Sequence, residues 1–338
     1  MKVIIIGSGI AGITFAEKLS QLSADAKITI LTKENQGYYS RPLLSKGFSR
    51  DNIEQDIIIK PFNALLDNNI CVIGGVEVTE INRDKQCVSV KGVDEVETWE
   101  YDILVLAMGS AAFVPPPFLT YQDNFFLFNS LDDLKALRQF RQPLLDSGTQ
   151  PNWAIIGGGL IGCEVASDLI AADDKVSIFH VMDRLMERQL VESDSENLLT
   201  VMQSSGVDVR LNQVINGIEK IDHKVLVKTD DKQSEFDGVI LSCGFKPRIE
   251  LAVNAGLKTG RGIKTDQMLQ TNDENIYALG DVAELPNGKL YAFIKPIRHQ
   301  AQWLAESICN QQKQPWSPPD FNAVAKVNNF NAEFPYLF

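Results

Sequence analysis

A short apolar strand that runs into a glycine-rich turn and then a helix occurs twice in this chain. Val3-Ile4-Ile5-Ile6 leads into Gly7-Ser8-Gly9-Ile10-Ala11-Gly12, a helical stretch with Phe15, Leu19 and Leu22, and a second strand at Ile28-Thr29-Ile30-Leu31. Trp153-Ala154-Ile155-Ile156 leads into Gly157-Gly158-Gly159-Leu160-Ile161-Gly162, a helix through Val165, Leu169 and Ile170, and the strand Lys175-Val176-Ser177-Ile178-Phe179. Apolar runs this short and this continuous fit strands of a parallel sheet buried on both faces. Strand, GxGxxG, helix and strand within about thirty residues is the frame that binds a dinucleotide. The first glycine permits the tight turn, the second lets backbone approach a pyrophosphate, and the third lets helix pack on strand. The helix N-terminus then offers free N–H groups and partial positive charge to the phosphates. One GxGxxG alone is weak; two copies, each in a full frame, predict an α/β chain that takes two dinucleotides.

Each copy is followed by an acid-led apolar run that ends in glycine. Tyr101-Asp102-Ile103-Leu104-Val105-Leu106-Ala107-Met108-Gly109 and Phe236-Asp237-Gly238-Val239-Ile240-Leu241-Ser242-Cys243-Gly244 read as buried strands. Their glycines, Gly109 and Gly244, bring backbone close to a ligand, with Ala107 beside the first. Pro115-Pro116-Pro117 reads as a semi-rigid linker between the two units. The stretch from Pro315 to Asp320 reads as a second break, and the short remainder to Phe338 is too brief for a core of its own.

Composition narrows the function. Among 338 residues, 32 Lys and Arg face 44 Asp and Glu, a formal net charge of −12. Such a balance repels phosphate backbones, so nucleic-acid binding is not expected. No stretch approaches the roughly 18 consecutive apolar residues of a membrane span. The N-terminal apolar run is broken by Gly7 too early for a secretory signal, so a soluble cytoplasmic protein is expected. Cys71, Cys87, Cys163, Cys243 and Cys309 show no CxxC spacing. Free, mostly buried thiols in a reducing compartment are the expectation. His180, His223 and His299 form no metal spacing, so no metal is expected, nor any Ser/His/Asp arrangement.

Thr271-Asn272-Asp273-Glu274-Asn275-Ile276-Tyr277-Ala278-Leu279-Gly280-Asp281 decides among two-dinucleotide proteins. An apolar strand ends in Gly280-Asp281, where a carboxylate can accept from sugar-like hydroxyls. In this order of motifs the segment resembles the second FAD signature of glutathione-reductase-type flavoproteins. Tyr38-Tyr39-Ser40-Arg41-Pro42-Leu43-Leu44-Ser45-Lys46-Gly47 narrows the branch, because residues 34–70 hold no cysteine where disulfide reductases and NADH oxidases carry theirs. The Arg-Pro-x-Leu-Ser-Lys pattern, with Gly159-Leu160-Ile161-Gly162-Cys163-Glu164 and Ala111 to Pro116, is similar to the rubredoxin reductase and flavorubredoxin reductase branch. The resemblance covers nearly the whole chain.

That resemblance implies two Rossmann-like domains, the second inserted in the first. Residues 1–112 and 245–315 would bind FAD, 113–244 would bind NAD(P)H, and 316–338 would be the remnant of an interface domain that runs longer in the family. It implies hydride transfer from NADH to FAD, with NADPH as the alternative, and single electrons leaving to rubredoxin or a flavorubredoxin-type iron protein. A ferredoxin of an oxygenase system, or an NAD(H)-responsive flavoprotein resembling apoptosis-inducing factor, remain alternative readings. A monomer or a dimer fits either.

By the same resemblance Lys46 and Glu164 are neighbours at the nicotinamide–flavin contact, and Arg41 and Lys326 reach the flavin. Val78 offers backbone to adenine, and Ile294 opens a helix (Lys295-Pro296-Ile297) whose positive end faces the flavin pyrimidine. Two departures stand out. The acid that usually ends the second strand of the FAD unit is Thr32, leaving Lys33 and Glu34 to meet the ribose. The corresponding place in the second unit is His180, with Asp183 close by. An acid there accepts from the ribose 2′-hydroxyl of NADH, and arginines favour NADPH. Finally, Arg41, Lys46 and Arg50, and then Lys289, Lys295 and Arg298, lie in acid-free stretches, Tyr38 to Arg50 and Leu285 to Ala305. Both read as a basic dock for an acidic carrier, with Arg41 and Lys46 alternatively occupied by flavin.

Overall fold

Two five-stranded parallel sheets carry the two glycine loops in the computed structural model, which describes residues 1–66, 69–92, 96–230, 232–310 and 314–335. The first runs in the order Ile276–Ala278, Ile103–Leu106, Lys2–Ile6, Lys27–Leu31, Ile70–Ile73. The second runs Phe126–Leu127, Gly238–Leu241, Asn152–Ile156, Lys175–Phe179, Asp208–Arg210. In each, the strand before the glycine loop is central. The strand after its helix lies on one side and the acid-led strand on the other. Carboxyl ends of all three therefore open on one crevice, the usual ligand position in such sheets.

Each sheet has an antiparallel three-stranded appendage: Glu77–Asn82, Cys87–Lys91 and Val96–Glu100 in one case, Ile215–Ile221, Lys224–Thr229 and Gln233–Phe236 in the other. The chain leaves the first sheet and returns to it only at Ile276–Ala278. The crossing is a pair of short antiparallel strands, Ser110–Ala112 against Phe245–Pro247. Beyond it, the triple proline is an extended Pro115 that opens a 3-10 helix, Pro116–Asn124.

Packing joins segments that are remote in sequence. One core gathers Ile5, Phe15, Leu19, Ile28 and Leu104 with Ile297, Ala301 and Leu304 of the helix Ile294–Ile308. A second gathers Leu44, Phe48, Ile53 and Ile57 with Leu134, Val165 and Leu169, and with Ala323, Val327 and Phe334. The C-terminal hairpin, Asn322–Val324 paired with Glu333–Pro335, is thus seated on the second nucleotide helix. Residues 336–338 lie outside the described residues. Among the described residues no helix is long and apolar enough to cross a membrane.

All five cysteines are unpaired, but fewer are buried than their chemistry suggests. Cys87 and Cys163 are buried, Cys243 and Cys309 are half-buried, and Cys71 is exposed because its strand, Ile70–Ile73, is the edge of the first sheet. Burial pushes the Cys163 thiol up and that of Cys243 up to about 11, so both are protonated at neutral pH.

Candidate functional site

Both nucleotide helices, Ile10–Leu22 and Leu160–Ala171, begin without a side-chain cap. Gly7 at φ +112° and Gly157 at φ +116° hold the left-handed turn, and a Cβ on either would strike the carbonyl of Ala107 or of Ser242. A Cβ on Gly12 or Gly162 would strike the carbonyl of Gly7 or Gly157, so helix and strand are in backbone contact there. By contrast, among the described residues nothing lies within 4 Å of a Cβ on Gly9, Gly159 or Gly244. Two uncapped helix ends beside open glycine faces are cradles for anions.

Around the first loop, Ser8 Oγ and Thr32 Oγ1 share a 2.8 Å hydrogen bond, so Thr32 turns inward. Its Oγ1 also accepts from the Glu34 N–H at 3.2 Å. The Glu34 carboxylate accepts from the Tyr39 hydroxyl (3.1 Å) and pairs with the Arg41 guanidinium, whose Nη1 donates to the Asn129 carbonyl (2.6 Å). Lys33 pairs with Glu77 at the surface, 2.6 Å away. Val78 stands opposite Val90 in the appendage. Ala107 is buried, its N–H donating to the Ile6 carbonyl, and Gly109 follows at φ +66°.

Asp281 follows Gly280 in a 3-10 turn, and its carboxylate accepts from Ser110 Oγ at 2.7 Å. Burial pushes its carboxyl above the ordinary range, against the pull of Ser110, Arg41 and Arg248. Two neighbours went unseen in the sequence. Arg248 donates from Nη1 to the carbonyls of Met108 (3.0 Å) and Ser110. Gln300 is fully buried; its Oε1 accepts from the Gly280 N–H (2.9 Å), and its Nε2 has no partner among the described residues. A buried amide donor left over beside a carboxylate and open glycine faces fits a dinucleotide with a hydroxylated chain, as FAD has. A raised carboxyl costs the apoprotein stability once ionised, and that cost disappears as pH falls below the ordinary aspartate value. Asp281→Asn is therefore expected to raise the apoprotein's melting temperature at pH 7 but not below about pH 4, while weakening flavin retention about tenfold or more. Melting curves at both pH values and flavin released on dilution check this.

On the second nucleotide helix, Glu164, Ser167 and Asp168 share a face at i, i+3 and i+4. Glu164, fully buried, accepts from Ser45 Oγ (2.7 Å), the Lys326 N–H (2.9 Å) and Lys326 Nζ (2.6 and 2.7 Å). Ser167 Oγ accepts from the Asn328 N–H at 2.9 Å. Asp168, also fully buried, accepts from the Phe48 N–H (2.8 Å) and from Ser49 Oγ (2.5 Å). Lys46 and Glu164, expected as neighbours, flank the same contact without pairing. The turn Arg41–Lys46 buries Ser45 against Glu164 and sends the next residue outward, so Lys46 Nζ donates to Asn328 Oδ1 at 2.8 Å. Lys326 is the lysine that pairs with Glu164.

Leu160 and Ile161 pack partly buried on the second core, and Ile294 opens its helix half-exposed. His180 is buried, accepting from the Gly158 N–H (3.0 Å) and meeting Glu187 (3.1 Å); Asp183 is exposed. His299 accepts from the Trp316 indole, and His223 is exposed. Among the described residues no three His, Cys, Asp or Glu are grouped to hold a metal.

The family model described as pyridine nucleotide-disulphide oxidoreductase matches residues 1–302. This chain belongs to that family. It is an NAD(P)H-dependent oxidoreductase, and like the rest of its sequence the segment 34–70 lacks a redox pair of cysteines. A rubredoxin-NAD(+) reductase of Alcanivorax borkumensis is 33% identical over 91% of this chain and 79% of its own length. A nitric oxide reductase FlRd-NAD(+) reductase of Shigella boydii is 31% identical over 90% of this chain and 78% of its own length. Among solved structures, putidaredoxin reductase in its covalent complex with putidaredoxin superposes with a TM-score of 0.84 at 27% identity, covering 96% of this chain and 79% of that one. A NAD-dependent persulfide reductase from A. fulgidus superposes with a TM-score of 0.89 at 25% identity, covering 98% of this chain but only 63% of that one.

Proposed function

We propose that this chain is a reductase that draws electrons from NADH through FAD and delivers them to a rubredoxin or a rubredoxin-like domain of a flavorubredoxin. The observation that carries it is the helix Leu160–Ala171. Its N-terminus faces one ligand cradle, and Glu164 two residues past Gly162 grips the segment beside the other. The thiols beside the second loop, Cys163 and Cys243, are pushed up by burial and so stay protonated, and electrons leave without passing through sulfur. The curated relatives named above support the acceptor class.

In this reading residues 1–112 with 245–315 hold FAD, 113–244 hold NADH, and 316–338 close the contact between them. Bound FAD would supply the conversion of a two-electron hydride into single-electron deliveries. The chain supplies placement. Gly7, Ser8, Gly9, Ile10, Ala11 and Gly12 seat one pyrophosphate, and Gly157, Gly159, Leu160, Ile161 and Gly162 the other. Asp281 accepts from hydroxyls of the flavin side chain, and Arg41 and Arg248 keep local potential positive. The start of the helix at Ile294 and the Lys326 ammonium favour negative charge on the ring system. Glu164 fixes Lys326 and Ser45, and Leu44 and Phe48 exclude water. The working compartment is the cytoplasm, in keeping with five unpaired thiols, and the working form a monomer or dimer.

The basic dock is narrower than the sequence suggests. Arg41 is engaged by Glu34, and Lys295 Nζ donates to the Asp320 carbonyl. Arg50, Lys289 and Arg298 are exposed, with Arg298 reaching the Tyr38 hydroxyl. Anaerobic turnover with NADH and purified rubredoxin, against a two-iron ferredoxin, tests the acceptor; preference for the ferredoxin would install the alternative. Arg50→Ala with Arg298→Ala is expected to slow delivery about three- to tenfold at low salt and flatten its salt dependence. An unchanged salt profile would remove the dock.

A further inference from the structure

At the end of strand Lys175–Phe179, where an acid would meet the ribose of NADH, stands a histidine whose ring is already occupied. His180 Nδ1 accepts from the Gly158 N–H at 3.0 Å, which leaves the ring hydrogen on Nε2, and Nε2 lies 3.1 Å from Glu187 Oε2. The ring thus spends both nitrogens, one on the glycine loop and one on a carboxylate. Glu187 is itself held against that loop: the Met186 N–H donates to the Gly158 carbonyl at 2.9 Å. The arginines close by are not free to take a phosphate. Arg184 donates to the carbonyls of Leu190 and Glu187 and to Ser195 Oγ, locking the turn. Arg210 is bound to Asp208 and Ser234. Arg188, 78% exposed, lies 3.6 Å from the other oxygen of Glu187, and Asp183 adds a second negative charge at the surface.

We propose that Glu187, tethered by His180 beside the second glycine loop, is the carboxylate that accepts the 2′-hydroxyl of NADH and refuses the 2′-phosphate of NADPH. The inference rests on the reading of that loop as the nicotinamide-nucleotide site. It moves the selecting charge from the strand end to the loop seven residues on, with the imidazole as its mount. A hydroxyl donates to a carboxylate, whereas a phosphate meets like charge in a half-buried corner. Removing the charge lifts that repulsion and leaves Arg188 free to meet the phosphate.

Calorimetric titration of the holoprotein with ADP-ribose and with its 2′-phosphate reads selection without turnover. The wild-type chain is expected to prefer ADP-ribose by about tenfold or more, Glu187→Gln to shrink that preference about tenfold, and Glu187→Lys to invert it. Glu187→Gln keeps an oxygen for His180, and an unchanged flavin spectrum and melting curve certify the fold. An unchanged preference in both variants, with binding still abolished by Gly159→Asp, overturns the assignment of Glu187 and leaves the site. A wild-type preference for the 2′-phosphate also overturns it, and binding of neither ligand overturns both readings.

Discussion

Gly9→Asp should yield a folded, colourless protein, and Gly159→Asp a folded, yellow one that NADH no longer bleaches. Both glycines adopt extended backbone, φ −72° with ψ −177° and φ −79° with ψ −172°, which any residue accepts. Nothing among the described residues lies within 4 Å of an added Cβ at either position, so the empty fold tolerates the change. A bound pyrophosphate does not. The new carboxylate stands where phosphate approaches the helix N-terminus, and like charge there costs several kcal/mol, or about a thousandfold in affinity. Gly12→Ala and Gly162→Ala are the contrast, because their methyl groups would meet the carbonyls of Gly7 and Gly157 and damage the fold itself. Visible absorbance as purified, bleaching by NADH and melting temperature separate these outcomes. Retained colour and bleaching in both open-face variants would show that neither loop holds phosphate. The reverse pattern would exchange the two ligands between the loops.

These loops were legible in the sequence because their constraints are local. A turn that needs positive φ at Gly7 and Gly157, followed by backbone contact at Gly12 and Gly162, writes itself as spacing. The buried strand Lys175–Phe179 matches its apolar run residue for residue. What stayed hidden depends on contacts across long stretches of chain. Whether Ser45 or Lys46 points at the second nucleotide helix is a matter of one residue within a tight 3-10 turn, which no periodicity reports. Arg248 and Gln300 gain their place only when the chain re-enters the first sheet and sets them beside Gly109 and Gly280. Thr32 looked like a missing acid, but its hydroxyl is the inward partner of Ser8. Cys71 is exposed although thiols are commonly buried, and the sequence does not say which strand becomes the sheet's edge.

Lys326→Met should be among the most damaging single changes, more so than loss of its partner. Glu164 is 0% exposed and Lys326 is 32% exposed. Without the ammonium, the carboxylate remains buried with, among the described residues, only Ser45 Oγ and the backbone N–H at 326 to accept from. An uncompensated buried charge of this kind costs about 3–5 kcal/mol. Glu164→Leu, by contrast, leaves an ammonium that can turn to solvent, and its cost is the smaller one of an unpaired hydroxyl and amide. The double variant removes both charges, so it should recover more than half of the loss seen in Lys326→Met. Urea midpoints of the holoprotein give the cycle, and proteolysis following Pro315 reports release of the C-terminal hairpin. Additive losses would mean that the two residues act separately and that something else seats the hairpin. Rapid-mixing reduction by NADH then divides anchoring from chemistry. If Glu164 serves only to hold Lys326 and Ser45, the double variant reduces its flavin near the wild-type rate. If the carboxylate also fixes the nicotinamide over the flavin, the reduction rate falls while NADH affinity is unchanged, as expected for a contact realised only in the transition state. Its position two residues after Gly162, on the helix that grips both segments, favours the second result.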